Sequence, residues 1–265
     1  MIAVDLGNTR AKFALFDEPE IVPPVLAVDF PDFGTIVDWL NGYKPTVWRI
    51  AQTGKFPWDQ LQAKLTEYRP QDRFIKLSYR DIPISIDVEF PDQVGLDRLL
   101  SAYGAVSINR RAGGCASGTI MVVDAGTAIT VDLAGGSGSF FGGAILPGLN
   151  AAADSLTGIS HRLPQIQVNG ISSATYPGKN TEQAIAAGIY WGTVGAVRQL
   201  HEQAKVKLSQ KLPIFLTGGD APALYKGLTS TMPNEQQIEI HSGLVLFGIG
   251  RLCVKEFCNG PGTGK

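Results

Sequence analysis

The chain is poor in cysteine and in long apolar runs. Its three cysteines, Cys115, Cys253 and Cys258, form no Cys-x-x-Cys pair among 265 residues, which argues against a disulfide scaffold and favours reduced thiols in a cytosol. No segment approaches the roughly 20 uninterrupted apolar residues that a membrane-spanning helix needs. Asp5 interrupts the early apolar run that a signal peptide would require. The sequence therefore predicts a cytoplasmic protein with no membrane partner.

The chain also lacks an excess of charge of either sign. Its 23 Lys and Arg residues nearly balance its 24 Asp and Glu residues, so it exerts no long-range attraction on a polyanion. Arg110 and Arg111 are a pair and not a basic run. None of the three histidines has a Ser or Cys partner in a recognisable catalytic motif, which argues against nucleophilic catalysis. Because charge is balanced and no basic run occurs, we do not expect nucleic acid to be the main partner. The composition is that of an ordinary globular protein.

The chain does contain a short sequence motif that occurs twice. Residues 2–9 read IAVDLGNT, and residues 121–127 read MVVDAGT. Each copy is an apolar run followed by Asp, a Gly turn and Thr, and two such copies indicate an internal duplication whose sites face each other across a cleft. A carboxylate can hold a cation, while turn amides and a threonine hydroxyl can meet phosphate oxygens. The repeat therefore predicts a nucleotide phosphotransferase.

Periodicity and turn residues predict two α/β lobes. A β-hairpin is predicted over residues 1–16, further strands at 46–50, 84–90, 119–124, 128–133 and 213–216, and a second hairpin turn at 135–138 leading toward Phe140 and Phe141. Helices are predicted at 34–41 and 58–68, opening within 91–98, at 150–156, after residue 180, from about 222 and at 241–255. The Gly-rich stretch 109–118 separates an N-terminal lobe, residues 1–113, from a C-terminal lobe, residues 114–265. No GxGxxG motif follows the first strand, so a Rossmann fold is not expected.

The long helix after residue 180 carries an unusual number of small residues. Asn180 is expected to cap it, with Gln183 completing a capping box. The small residues are Ala184, Ala187, Gly188, Gly192 and Gly195. Because glycine lowers helix propensity, their presence suggests that another backbone approaches closely. That backbone belongs either to a second copy of the chain or to the same subunit, and the sequence leaves both open.

A third glycine turn follows the last predicted apolar strand. Thr217-Gly218-Gly219-Asp220 lies between a strand and a helix, where glycine would let a flat adenine approach the backbone. A Gly-Gly turn alone is common, but the order DxGNT, DxGT, TGGD is much more specific.

With these motifs in this order, the chain resembles the acetate and sugar kinase and actin superfamily, and more narrowly type III pantothenate kinase. The matching segments are Asp5–Thr9, Gly95–Arg98, Asp124–Thr130, Gly142–Gly148 and Thr217–Ala221. The resemblance runs from residue 2 to about residue 250. It implies two ribonuclease H-like lobes with a nucleotide cleft between them, and ATP-dependent phosphorylation of pantothenate to 4'-phosphopantothenate, the first step toward coenzyme A.

The resemblance also implies roles for particular residues. The ATP-binding set would be Asp5, Leu6, Gly7, Asn8, Thr9, Arg10, Ala11, Lys12, Thr127, Gly218 and Gly219. Asp97 would be the general base that accepts the substrate hydroxyl proton. The substrate-binding set would be Gly95, Leu96, Asp97, Arg98 and Thr181. Asp124 would bind a monovalent cation, K⁺ or NH₄⁺, and Mg²⁺ would accompany ATP in a homodimeric enzyme.

One position departs from the family pattern, and two alternatives stay open. Val88 stands where the family often has a tyrosine, three residues before the proline of the substrate motif, so one hydrogen bond of the pocket is in question. The first alternative is another small-molecule kinase of the superfamily, acting on a sugar or a carboxylic acid. The second is a non-catalytic nucleotide-binding regulator.

Overall fold

The apolar runs of the sequence form two β-sheets, one in each of two units. The computed structural model describes residues 1–8, 10–17, 20–29, 32–114, 118–160, 162–168, 174–233 and 237–252. Thr9, His161 and the three cysteines lie outside these residues. The first unit comprises Met1–Ser85, Glu89–Ser107 and the described residues from Leu244 onward; the second comprises Ile86–Val88 and Ile108–Gly243.

The first sheet is built around the strand that ends in the first Asp-Gly turn. Its strands are β1 (Ile2–Leu6), β2 (Arg10–Asp17), β3 (Glu20–Asp29), β4 (Val47–Gln52) and β5 (Arg73–Lys76), in the spatial order β3-β2-β1-β4-β5. Strands β1, β2 and β3 are antiparallel neighbours, whereas β1, β4 and β5 are parallel. The predicted hairpin of residues 1–16 is thus confirmed.

The second sheet repeats this topology. Its strands are β6 (Ser85–Ile86), β7 (Thr119–Ala125), β8 (Ala128–Gly135), β9 (Ser139–Pro147), β10 (Ile214–Thr217) and β11 (Ile238–Ile240). The order β9-β8-β7-β10-β11 matches β3-β2-β1-β4-β5 in sequence and in direction, with β6 added beside β9. Both Asp-Gly turns therefore follow the central strand of their own sheet. This confirms the predicted fold class, a mixed α/β protein with a duplicated, ribonuclease H-like topology.

Seven α-helices lie in the described part of the chain. They are α1 (Phe33–Leu40), α2 (Trp58–Tyr68), α3 (Leu96–Arg111), α4 (Leu149–Ile159), α5 (Thr181–Leu208), α6 (Ala221–Thr231) and α7 (Leu244–Arg251). Helix α2 has the predicted bounds because Leu61 and Leu65 recur at the helical period and are buried in the first core. None of the described helices is both long enough and apolar enough to cross a bilayer.

The last helix lies in the first unit, not in the C-terminal lobe where the sequence placed it. Helix α7 packs on β1, β2, β3 and β4, and its backbone meets that of α3. A Cβ atom placed on Gly248 would lie 2.2 Å from the carbonyl oxygen of Leu100, and one on Gly104 would lie 2.7 Å from that of Leu244. The two units also divide after Ser107 rather than after residue 113. Local sequence patterns could not predict that α7 packs on strands so distant in the chain.

Several local predictions need correction. The strand expected at 84–90 is only the two residues of β6, because the chain bends at Val88 and Glu89. The alternation of apolar residues continues past this bend, so it does not show where pairing with β9 ends. Asn180 caps α5 by accepting from the Gln183 backbone N–H at 2.8 Å, but Gln183 Oε1 accepts from Lys179 and not from Asn180, so the capping box is incomplete. The helix expected from residue 241 begins at Leu244.

Three strands were not predicted. Strand β3 contains Pro23 and Pro24, which do not fit a central strand, but it lies at the edge of its sheet, where its register against β2 shifts. Strands β5 and β11 are only four and three residues long, which is too short to show a period. Their identity as strands comes from a neighbour to pair with.

Candidate active site

The first Asp-Gly turn joins β1 to β2. Gly7 N–H donates to the Arg10 carbonyl at 3.0 Å and closes the hairpin. Leu6 and Ala11 are fully buried in the first core, so neither of these two predicted residues exposes a group to a ligand. Arg10 forms an exposed ion pair with Asp29 at 2.8 Å. The turn therefore offers mainly backbone amides and the side chains of Asp5, Asn8 and Lys12.

Asp5 lies at the base of this turn and is only 7% exposed. Its Oδ1 accepts a hydrogen bond from Thr53 Oγ1 at 2.8 Å, and its Oδ2 lies 4.0 Å from the ammonium of Lys12, its direct cross-strand partner. Burial raises the pKa of Asp5, while the Lys12 charge and the Thr53 hydrogen bond act against that shift and the negative charge of Asp97 adds to it. Burial therefore disfavours the charged form of the Asp5 carboxyl group.

Asp97 lies in the same unit, in the first turn of α3. Its Oδ1 accepts from the Arg98 backbone N–H at 3.0 Å, and a 3₁₀ turn at Pro91–Gln93 leads the chain into the helix. A Cβ atom placed on Gly95 would lie 2.4 Å from Asp97 Oδ1, so the carboxylate occupies the space that glycine leaves open. Within the first unit, Asp97 lies near enough to Asp5 for its negative charge to help raise the pKa of Asp5.

In the second unit, two other predicted segments, 142–148 and 217–221, contact the second Asp-Gly turn. Gly126 N–H donates to the Ala128 carbonyl at 3.1 Å, and Gly148 N–H donates to the Thr127 carbonyl at 3.1 Å. A Cβ atom on Gly148 would lie 2.4 Å from that Thr127 oxygen. Gly148 belongs to the predicted Gly142–Gly148 segment, most of which forms β9. The end of this segment therefore packs against the backbone of the second Asp-Gly turn.

The Thr-Gly-Gly-Asp segment follows β10, which pairs Thr217 directly with Asp124. Gly218 has a φ of 93°, and a Cβ atom there would lie 2.4 Å from the Ala125 carbonyl oxygen and 2.6 Å from Asp124 Oδ1. Gly219, in contrast, has nothing within 4 Å of its Cβ position among the described residues. Gly218 is thus required by the fold, whereas Gly219 faces open space.

Two further predicted residues lie on other elements. Thr181 is the first residue of α5 and is exposed. Val88 lies in the second unit, where its Cγ1 is 3.3 Å from the Cβ position of Gly142. Sequence reasoning missed Thr53, although a Thr-Gly pair shortly after the strand predicted at 46–50 was a usable signal.

The part of the chain that the structure describes contains no cation site built from several protein ligands. Among the described residues, no three His, Cys, Asp or Glu side chains come together to hold a metal ion. Mg²⁺ in phosphotransferases is typically bound through one or two carboxylates and the substrate phosphates. The single carboxylate at each turn, Asp5 and Asp124, fits that kind of binding.

Comparison with known proteins agrees with this arrangement. A profile of the family described as type III pantothenate kinase matches residues 49–203. A type III pantothenate kinase of Synechococcus elongatus is 36% identical over 194 residues, 73% of this chain and 70% of that protein. One of Sphingopyxis alaskensis is 28% identical over 83% of this chain and 86% of that protein.

Solved structures resemble the chain in fold. A ROK family glucokinase of Streptomyces griseus, solved with glucose and AMPPNP, matches with a TM-score of 0.52 at 11% identity over 94% of this chain and 97% of that one. Component A of (R)-2-hydroxyglutaryl-CoA dehydratase from Acidaminococcus fermentans matches with a TM-score of 0.50 at 15% identity over 94% and 95%. The sequence matches carry the assignment further: this chain belongs to the type III pantothenate kinase family.

Proposed function

We propose that the chain phosphorylates pantothenate to 4'-phosphopantothenate with ATP, the first step of coenzyme A biosynthesis. The single observation that carries the proposal is the family match over residues 49–203, which includes the substrate motif, the second Asp-Gly turn and Thr181. The first Asp-Gly turn and the Thr-Gly-Gly-Asp segment lie outside that match, and the repeated topology of the two sheets supports their assignment.

In this mechanism Asp97 accepts the proton of the pantothenate hydroxyl as its oxygen attacks the γ-phosphate. A general base must lie within hydrogen-bond reach of the proton, so its position matters first. The hydrogen bond from Arg98 N–H and the space above Gly95 fix that position. The Arg98 guanidinium, Gly95 and Leu96 complete the substrate motif, and Arg98 offers donors to the substrate or its carboxylate.

Each Asp-Gly turn contributes phosphate-binding groups. Phosphoryl transfer needs positioning and electrostatic stabilisation more than covalent chemistry, and fixed backbone amides supply both. The Asn8 amide and the Lys12 ammonium serve the first turn, whose Gly7 N–H is already used to close the hairpin, and the Thr127 hydroxyl, which is exposed, serves the second. Gly218 and Gly219 form the floor for adenosine, because Gly219 leaves its surface open.

Asp5 and Asp124 are the residues that would bind cations. Asp5 would contact the Mg²⁺ that accompanies ATP, and Asp124 would bind K⁺ or NH₄⁺. Bound cations supply positive charge next to the phosphates, which offsets the charge that develops during transfer. The protein's own contribution is to hold each carboxylate at a strand end.

A homodimer is supported by the exposed face of α5. Gly188, Gly192 and Gly195 have no described atom within 4 Å of their Cβ positions, so packing inside the subunit does not account for them. A second α5 lying along this face would approach closely, and Thr181 at its N-terminus would then serve a pocket in either subunit. Ala187 is buried within its own subunit and plays no part in this contact.

The decisive experiment compares acceptors. Purified protein with ATP, Mg²⁺ and K⁺ is offered pantothenate, glucose or acetate, and ADP release and product mass are measured. Turnover with pantothenate alone is expected. Turnover only with glucose or acetate would instead show a different kinase of the superfamily, and ATP binding without any turnover would show a regulatory protein.

A further inference from the structure

The strand parallel to each Asp-bearing strand ends near a Thr-Gly pair. In the second unit, β10 runs parallel to β7 and leads into Thr217-Gly218, part of the segment that the sequence analysis singled out. In the first unit, β4 runs parallel to β1 and is followed directly by Thr53-Gly54. Both pairs lie at the end of the parallel strand, although Thr217 is the register partner of Asp124, whereas Thr53 lies two residues beyond Ala51, the register partner of Asp5.

The backbone contacts of the two connections also correspond. The residue after each Asp is Leu6 in the first unit and Ala125 in the second. The carbonyl of Ala125 accepts from Asp220 N–H at 3.0 Å, and the carbonyl of Leu6 accepts from Thr53 N–H at 3.0 Å and from Gly54 N–H at 2.7 Å. In both units the connection after the parallel strand is hydrogen-bonded to the start of the Asp-Gly turn.

The glycine of each pair packs directly on that turn. A Cβ atom on Gly54 would lie 2.2 Å from the Gly7 carbonyl carbon and 2.3 Å from the Asn8 nitrogen. These are backbone atoms, which cannot move aside as the end of a side chain can. Gly54 therefore determines how closely the connection approaches the Gly7–Asn8 peptide.

Thr53 adds a contact to the carboxylate itself. Its Oγ1 lies 2.8 Å from Asp5 Oδ1 and 3.2 Å from the Leu6 carbonyl oxygen, and its one hydroxyl hydrogen favours the shorter bond to the charged acceptor. The hydrogen bond fixes Asp5 Oδ1 and leaves Oδ2 on the side of Lys12. Asp5 is buried, so this hydroxyl determines which way the carboxylate faces.

We propose that Thr53 and Gly54 are positioning residues for the first nucleotide-binding turn. Thr53 orients the Asp5 carboxylate through Oγ1, and Gly54 sets the position of the Gly7–Asn8 peptide, and so of the Asn8 amide, through its missing side chain. The inference rests on the proposed function in assigning the ligand as ATP with Mg²⁺. Neither residue contacts the reacting atoms.

The test for Thr53 uses two substitutions and a control. Thr53→Val removes the hydroxyl and keeps the shape, Thr53→Ser keeps the hydroxyl, and Thr66→Val makes the same change at an exposed position of α2 in the same unit. The affinity for a non-hydrolysable ATP analogue with Mg²⁺ is measured by calorimetry, beside KM for ATP and for pantothenate. Thermal unfolding checks that each variant is folded.

Thr53→Val is expected to weaken analogue binding about 10- to 100-fold, the usual cost of a lost hydrogen bond to a charged group. Thr53→Ser should restore most of the affinity, Thr66→Val should bind as the parent does, and KM for pantothenate should change less than KM for ATP. Unchanged binding by Thr53→Val would overturn the inference. Equal losses in Thr53→Val and Thr53→Ser would also overturn it, because the hydroxyl would then not be the cause.

Gly54 is tested independently. Gly54→Ala is expected to weaken analogue binding at least about 10-fold, because the turn must shift, whereas Gly34→Ala, whose Cβ would lie 3.4 Å from its nearest neighbour, should bind as the parent does. A folded Gly54→Ala variant with full affinity would contradict the role of Gly54. Analogue binding does not depend on the acceptor, so failure to phosphorylate pantothenate would reject the proposed function and leave this test valid.

Discussion

The carboxylate of Asp97 occupies the space where a side chain on Gly95 would begin. The Cβ position of Gly95 lies 2.4 Å from Asp97 Oδ1, and the same oxygen accepts from the Arg98 backbone N–H at 3.0 Å. Gly95 itself is exposed. Gly95 therefore leaves room for the Asp97 side chain, which is a different role from allowing a tight backbone turn.

Gly95→Ala should thus damage catalysis while leaving the fold intact. The new methyl group would push aside the end of a flexible side chain, which costs little stability, but a displacement of about 1 Å in a catalytic group can cost on the order of 10²-fold in rate. We expect kcat to fall by 10- to 100-fold, as an order of magnitude, with the melting temperature nearly unchanged. Steady-state kinetics and thermal unfolding measure both, and full activity would show that Asp97 needs no such space.

Asp97→Asn should remove the general base and keep nucleotide binding. Loss of a general base typically costs roughly 10²- to 10⁴-fold in turnover, and the asparagine oxygen can still accept from Arg98 N–H. Asp92→Asn is the matched control, because Asp92 is an exposed carboxylate in the same segment. Turnover by Asp97→Asn equal to that of the control would remove Asp97 from its proposed role.

Gly218→Ala and Gly219→Ala should separate a structural glycine from a ligand-facing one. Gly218 has a φ of 93° and backbone oxygen 2.4 Å from its Cβ position, whereas Gly219 has open space there. Gly218→Ala is expected to lower the melting temperature clearly, since strain and overlap combine. Gly219→Ala should keep the melting temperature and raise KM for ATP. The reverse pattern would contradict the proposed adenosine floor.

Asp5→Asn should stabilise the ligand-free protein at neutral pH. Burial is the largest influence on Asp5 and raises its pKa, so the folded state binds the proton more tightly than the unfolded state does. Stability from this group is therefore full below the ordinary pKa near 3.8 and is lost as pH rises through the raised value.

Thermal unfolding in the presence of EDTA tests this between pH 4 and pH 8. The melting temperature of Asp5→Asn should exceed that of the parent at pH 8, and the difference should shrink toward pH 4. The same Asp5→Asn variant should no longer bind nucleotide with Mg²⁺. A variant less stable than the parent at pH 8 would show that the Thr53 and Lys12 contacts outweigh burial.

A charge on the open face of α5 should disrupt the proposed homodimer. Gly192→Glu places a carboxylate where no described atom lies within 4 Å, and Gly158→Glu makes the same change at an open position of α4. Light scattering should show monomers for Gly192→Glu and dimers for Gly158→Glu. Dimers of equal stability in both variants would place the contact elsewhere.

Local chemistry in the sequence predicted much of the secondary structure. Leu61 and Leu65 at the helical period were sufficient for α2, and Asn180 with its following N–H groups was sufficient for the start of α5. The double Asp-Gly phrase predicted the duplication, because each copy is a strand and a tight turn that form from neighbouring residues. The Asp97 and Arg98 pair was recognised only because family resemblance supplemented a common residue pattern.

What the sequence alone determined was therefore the set of short elements and the residue types at the two turns. The tertiary structure decided that α7 returns to the first sheet, that β3 with its two prolines is an edge strand, and that Thr53 reaches Asp5. Asp5 and Thr53 are 48 residues apart in the chain, and a hydrogen bond between them exists only because β1 and β4 are parallel neighbours. Contacts of this kind depend on strand order, which no local periodicity encodes.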